Sequence, residues 1–461
     1  MRLPRLLALA LVTPLSLAAP LHADWRGDAV RNYIRSRMSG KLAAAHLPSF
    51  SRQTGLACSA CHYQFLALTP LGRDFKLNGY TLTRQPVITE KDSTNGKTLK
   101  LSPIPLVAAM VQASLTQTTD AQPGTQNGTA EMPQQLSVFL AGQVASKVGI
   151  FSQFTYSGAD GSFGIDNIDI RYASKAKLGQ QSDMIYGFTL NNNPTIEDLW
   201  NTTPAWGFPF ASSDVAPTGA ASTVIDGALA QQSLGLGAYS MFGGILYAEF
   251  SVYRSAQQGR ALADSFAIQG VAPYWRLALQ KTWERQNIMV GTYGMYAKQF
   301  PGAVSGPTDR FTDIGLDAQF ETKLPRGALV ARGTWIHEKQ VLDGTFAGGG
   351  SANPENTLKT LRFNASYYPI QQVGLTLGYF QTTGTVDTLR YAPAPVGGSA
   401  NGDPKTNGFI GEFDFNPWQN TRLGVQYVAY DKFNGGKTGY DGFGRSATGN
   451  NTLYLLAWLV F

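Results

Sequence analysis

Over most of its length this chain alternates between apolar and polar side chains, and that period of two constrains the fold more than any other feature. In "LRFNASYY", Leu361, Phe363, Ala365 and Tyr367 share one face, and Arg362, Asn364 and Ser366 the other. "DIGLDAQFE" repeats the pattern, with Ile314, Leu316, Ala318 and Phe320 opposed by Asp313, Asp317, Gln319 and Glu321. "VGLTLGYF" and "ILYAEFSVY" behave alike, their minority face being small or polar. Alternation of this kind sets one face of a strand against something apolar and the other against water or a polar filling. A soluble double-sheet, lectin-like fold alternates in the same way, so the strands alone do not choose between architectures.

The connections choose. About 16 strands can be placed from about Ile104 to Phe461, including one over 134–147 and one over 225–240. Every second connection is short and turn-like: "PRG" at 325–327, "PIQQ" at 369–372, "NPWQN" at 416–420. The others are long and rich in Gly, Asn, Ser and Pro, as at 193–224, 341–356, 385–406 and 433–449. An even strand count with short turns at one rim and long loops at the other describes an outer-membrane barrel. Composition agrees: charged residues make up 15%, while 50 glycines, 20 tyrosines and 25 phenylalanines suit turns and aromatic girdles. The final strand, "TLYLLAWLVF", places Leu453, Leu455, Ala457 and Leu459 on one face. Ending on Phe461, it resembles the terminal strand of bacterial outer-membrane proteins, where the aromatic end serves as an assembly signal. The predicted fold is mainly β, an about 16-stranded antiparallel transmembrane β-barrel of porin-like build over 104–461. A lumen that wide admits water or a plug. Asn191 to Phe210, leaving the fifth strand, reads either as an inward-folded constriction loop or as an ordinary surface loop.

The start of the chain sets the compartment. Arg2 and Arg5, the apolar run Leu6 to Leu17 and the small residues ahead of Asp24 read as a secretory signal peptide over 1–23, an N-terminal anchor being the alternative. Its removal takes two arginines and His22 and lowers the formal net charge from +6 to +4, too mild and dispersed for a nucleic-acid partner. Outer-membrane lipid is the expected surrounding.

One motif stands apart. "GLACSACHYQF", Gly55 to Phe65, holds the chain's only two cysteines, Cys58 and Cys61, with His62 directly after. A helical start at Cys58 puts Cys61 one turn on and His62 four residues away, on the same face. Two thiols so placed can add to the vinyl groups of one haem while the imidazole reaches the iron, which is the c-type attachment signature. The predicted cofactor is one covalently attached haem c, held by Cys58, Cys61 and His62, with His62 also the metal ligand. A zinc site needs four ligands, and apart from the two cysteines only His46, His62 and His337 follow the signal peptide. A thioredoxin-like pair needs an α/β domain that no segment here builds, and an inert disulfide leaves His62 unexplained. For the opposite face of the iron the candidates are His46, Met38 and Met110, or no residue at all.

Leu47 to Thr83 resembles the haem domain of the outer-membrane cytochrome–porin fusions of iron-oxidising bacteria. Pro48, Phe50, Arg52, Gln53, Thr54 and Gly55 carry the likeness, with Cys58, Cys61, His62, Pro70, Gly72, Phe75, Lys76, Gly79 and Tyr80, while Ser51 replaces the more usual alanine. The order of parts matches too: a small α-helical monohaem cytochrome c domain with linker over 24–103, then the barrel. The resemblance implies oxidation of extracellular Fe(II), or electron transfer from another donor, with the electron passed to a periplasmic carrier. As an enzyme the chain would then be an iron(II) oxidase. The rivals are a solute porin gated or plugged by its haem domain and a conduit for a different donor or acceptor. We expect the haem domain inside the lumen with a haem edge reachable from the outer side. Glu197 and Asp198 are either donor contacts or solvated loop charges. Nothing in the sequence forms a hydrolytic triad or a phosphate-cradling loop.

Overall fold

Sixteen strands, each antiparallel to its neighbours, close on themselves. The computed structural model describes residues 48–83, 88–92, 94–96, 98–101, 103, 105–178, 182–256, 267–302 and 304–461. The expected signal peptide, Met38 and His46 lie outside them. In chain order the barrel strands are β1 Val107–Thr118, β2 Thr129–Ala145, β3 Val148–Ser157, β4 Ser162–Leu178, β5 Ser182–Asn191, β6 Ser233–Phe242, β7 Leu246–Ser255 and β8 Ala272–Thr282. They continue as β9 Gln286–Gln299, β10 Asp309–Lys323, β11 Ala328–Val341, β12 Glu355–Ile370, β13 Val373–Gly384, β14 Thr406–Phe415, β15 Thr421–Lys432 and β16 Thr452–Val460. The cylinder is sealed by β16 on β1, in register from Thr452↔Thr118 to Val460↔Met110.

The alternation read from the sequence is the wall itself. On β10, Asp313, Asp317, Gln319 and Glu321 are buried toward the lumen while Ile314 and Leu316 are exposed on the outside. On β12, Asn364 and Ser366 face in and Leu361 and Phe363 face out. Charge inside and hydrocarbon outside, around a sheet with no free edge, is a surface made for lipid. The barrel is an outer-membrane one, and its short turns mark the periplasmic rim.

Two expected strands start well away from where the sequence placed them. The one expected at 225 begins at Ser233, because Val224–Ala228 forms a helical turn in the lumen. There Ile225 is buried and its N–H donates to Asp313 at 3.1 Å. An apolar pair beside an acid fits a strand pattern and an inward-packed turn equally well. The strand expected at 134 begins at Thr129, since Pro133 falls where the β1–β2 register shifts, with Gln112 opposite Gln135 but Ser114 opposite Glu131. Proline halts a strand pattern and is tolerated at such an irregularity.

The lumen is occupied by chain. Residues 48–83 form three short helices, α1 Pro48–Thr54, α2 Cys58–Cys61 and α3 Pro70–Leu77, with a small hairpin between α2 and α3 that pairs His62–Gln64 with Ala67–Leu68. This plug packs on the inner face of β16, β1, β2 and β3, where Phe65, Leu66 and Tyr80 share one core with Met110, Phe139, Phe151 and Trp458. Phe65 meets Trp458 edge-on, 5.2 Å between ring centres. A fully buried aromatic of this size contributes roughly 1.5–3 kcal/mol. The packing also explains why "TLYLLAWLV" is apolar on both faces. One face meets lipid and the other, with Leu456 and Trp458, meets the plug.

Leu316 stands at mid-strand on the outer face. Leu316→Arg should destabilise the barrel by about 2–4 kcal/mol if this point lies at the bilayer midplane, measured by urea unfolding from lipid vesicles. An unchanged midpoint would mean that this face does not meet lipid.

Candidate functional site

The plug sits at the end of the barrel that carries the short turns. The Cys58 N–H donates to Gln419, in the turn between β14 and β15, at 3.1 Å. Arg52 donates to the Val107 carbonyl at the start of β1, and the Gln143 N–H, near the end of β2, donates to Gln53 at 2.7 Å. Deeper anchors are ionic. Arg73 pairs with Glu321 at 2.8 Å, Tyr63 donates to the other oxygen of that carboxylate, and the Tyr80 hydroxyl donates to Asp169 at 2.6 Å. The expected plugging of the lumen matches this placement. The expected outer-side access does not, because the segment faces the periplasmic rim and a loop covers its other side.

Backbone economy shapes the motif. Thr69 caps α3 by accepting from the Gly72 N–H, and it returns a hydrogen bond of 2.6 Å to the Ala60 carbonyl. A β-carbon on Gly72 would lie 2.1 Å from the Cys61 carbonyl oxygen, so only glycine lets α3 approach α2 this closely. The helix expected to carry Cys58, Cys61 and His62 together is a single turn ending at Cys61. His62 leaves it in an extended conformation, φ −134°, ψ 141°, and starts the hairpin.

Cys58, Cys61 and His62 nonetheless line one cavity. The cysteines are not bridged to each other, and Ser51 Oγ lies 3.4 Å from Cys58 Sγ. The rest of the wall is mostly apolar: Phe50, Leu66, Leu68 and Phe75 from the plug, Phe151 from β3, and Trp206 from the loop after β5. Burial pushes the His62 imidazole down to about 3. It pushes the Cys61 thiol up to about 11, Cys58 adding to the effect. Met110 is buried on β1 but is not part of the cavity wall, and the Gln112 amide approaches its sulfur at 3.8 Å.

The loop following β5 folds inward, as one of its two sequence readings held. It closes the cavity from the outer side. Asn201 accepts from the Leu68 N–H at 3.0 Å, and Lys76 donates to the Asp198 carbonyl at 2.6 Å with its ammonium 4.6 Å from the Trp206 ring centre. Glu197 and Asp198 are fully buried, so neither is a solvated loop charge nor a contact open to an arriving donor. Burial alone would raise the Asp198 carboxyl, but Arg276 at 3.2 Å and the N–H groups of Trp200 and Thr203 hold it below its ordinary range. Sequence reasoning missed Asn201, Phe151 and Trp206 as cavity residues. Only Trp206 carried a signal, as one of four aromatics, with Trp200, Phe208 and Phe210, in the stretch Asn191 to Phe210.

Beyond the loop, toward the long-loop rim, lies a vestibule between residues 208–221 and β12–β16. Among the described residues, Arg362 is the one charged residue in its lining.

No protein-family model matches the sequence, and a search of curated proteins returns no match. Solved structures do resemble it. The outer-membrane channel DcaP of Acinetobacter baumannii is 13% identical, with a TM-score of 0.47 over 77% of this chain and 96% of that one. OmpF of Salmonella typhi, solved with daunomycin, is 12% identical, with a TM-score of 0.46 over 79% and 98%. An anion-selective porin from Comamonas acidovorans is 12% identical, with a TM-score of 0.45 over 77% and 98%. The barrel stands on this chain's own strand pairing, and likenesses at this level add nothing about ligand or activity.

Burial, with Arg171 next in effect, lowers the Lys76 ammonium from 10.5 to about 7. The unfolded chain therefore binds one more proton between those values, and stability should rise with pH across that window. Lys76→Met should flatten the rise, read as the pH dependence of the unfolding midpoint. An identical slope in the variant would place the proton elsewhere.

Proposed function

We propose that this chain transfers electrons at the outer membrane through one c-type haem, bonded by Cys58 and Cys61 and ligated by His62. The observation that carries the proposal is that both thiols and the imidazole line a single mostly apolar cavity, enclosed by the plug and the inward loop. Bound there, a c-type haem would supply a one-electron iron couple. The chain's own residues then have defined tasks. Phe50, Leu66, Phe75 and Phe151 exclude water, Gly72 keeps the α2 turn close against α3, and Gln419 holds that turn at the rim. Gly55 and Ala57 are exposed beside Cys58, where a periplasmic carrier can approach.

On the outer side the proposed donor is Fe(II), arriving through the vestibule. Among the described residues that lining contains no acidic side chain, so Fe(II) would give up its electron without a built coordination site. Adding Fe(II) at low pH to the purified, haem-loaded protein should convert the oxidised absorption spectrum to the reduced one. A spectrum that dithionite reduces and Fe(II) leaves oxidised would remove iron as donor and keep electron transfer from another source.

The fold by itself speaks more directly for a second reading, a solute porin narrowed by its plug. In its favour are the porin-like wall and a series of adjoining cavities along the lumen. Planar-bilayer conductance separates the two. The electron-transfer proposal expects a lumen closed to solutes, and a steady, solute-selective current would favour the porin.

A further inference from the structure

Three cavities adjoin along the lumen, and the middle one is lined by a guanidinium that hydrogen-bonds to no carboxylate among the described residues. The cavity at Cys58 and His62 shares Asn201 with a smaller one. That one shares Phe208, Arg362 and Asn364 with the outer vestibule. Arg332, on β11, lines the small cavity and is 2% exposed. Its Nε donates to the Trp200 carbonyl at 3.0 Å and to Gln319 at 2.9 Å. Its Nη1 and Nη2 are buried and meet no acceptor among the described residues.

The neighbouring carboxylates are engaged elsewhere. Glu321 takes Arg73 and Tyr63, Asp198 and Asp317 take Arg276, and Asp226 takes Arg362 through both guanidinium ends. Asn364, 6% exposed on β12, brings a second buried donor to the same lining, and its Nδ2 also has no acceptor among the described residues. Glu321 and Asp198 are near enough to act on the Arg332 charge, but neither accepts from it; buried guanidinium ends left without acceptors are disfavoured, and their planar fork matches two oxygens of one anion.

We propose that this small cavity binds a compact oxyanion, a carboxylate, sulfate or phosphate entering from the vestibule. It is held by Nη1 and Nη2 of Arg332 and Nδ2 of Asn364. The site is built from barrel and loop and does not rest on the haem assignment. Inorganic sulfate is the probe, titrated calorimetrically at low ionic strength into the full-length protein as purified in detergent. Saturable single-site binding is expected, weakened about ten- to a hundredfold by Arg332→Gln, the range set by losing charge-assisted hydrogen bonds. Arg310→Gln, at an exposed ion pair on the wall, should leave the affinity unchanged. Absence of saturable binding overturns the proposal, as does equal affinity in folded Arg332→Gln. Should that variant fail to fold, Asn364→Leu decides, and unchanged affinity there also overturns it. Binding only by haem-free protein carrying Cys58→Ser and Cys61→Ser would assign Arg332 to a haem propionate and overturn the free-anion site.

Discussion

The obligation of sixteen strands to satisfy one another's backbone groups in hydrocarbon governs this molecule. An open edge there would leave unpaired N–H and C=O groups, so the sheet closes, β16 on β1. Closure at this strand number leaves a lumen wider than wall side chains can fill. The chain fills it from both ends, with residues 48–83 from the short-turn rim and the loop after β5 from the other. Charges on the inner wall then sit away from water and are answered largely in pairs: Arg73 by Glu321, Arg171 by Asp169, Arg276 by Asp198 and Asp317, Arg422 by Glu412 and Asp414.

A segment as short as the plug has too little core to fold alone. The wall supplies the remainder. Trp458, Met110, Phe139 and Phe151 complete the core around Phe65 and Tyr80, while Glu321 and Asp169 fix its polar edge. Plug and loop in turn hold each other through Leu68 with Asn201 and Lys76 with Asp198. The cavity at Cys58, Cys61 and His62 is thus shaped by three parts of the chain far apart in sequence, and it lies at the periplasmic end rather than the outer one.

Most of the wall was legible because a strand's register is a local property. Asp313, Leu316 and Asp317 declare their faces without any knowledge of their neighbours. Legibility failed where a local pattern has two tertiary uses. Ile225 and Asp226 read as strand and pack as a lumen turn, and Glu197 and Asp198 read as donor contacts or solvated charges and lie buried. His62 was expected to continue the turn at Cys58, but pairing with Leu68 pulls it into a hairpin. The thiols and imidazole were found by spacing, whereas the walls around them, Phe151 and Trp206, come from elements that spacing within the motif cannot reach. Arg332 gave no signal at all, since whether a lumen arginine is answered depends on which carboxylates its neighbours have already taken.

The central claim is that the plug carries a porphyrin bonded through both sulfurs. Intact-mass measurement of the full-length protein after denaturation, with and without a thiol-alkylating reagent, tests it most directly. With the haem bonded as proposed, the chain is heavier by one haem and neither Cys58 nor Cys61 is open to alkylation. A chain of unmodified mass that takes up two alkyl groups would contradict it and leave a plugged porin in its place.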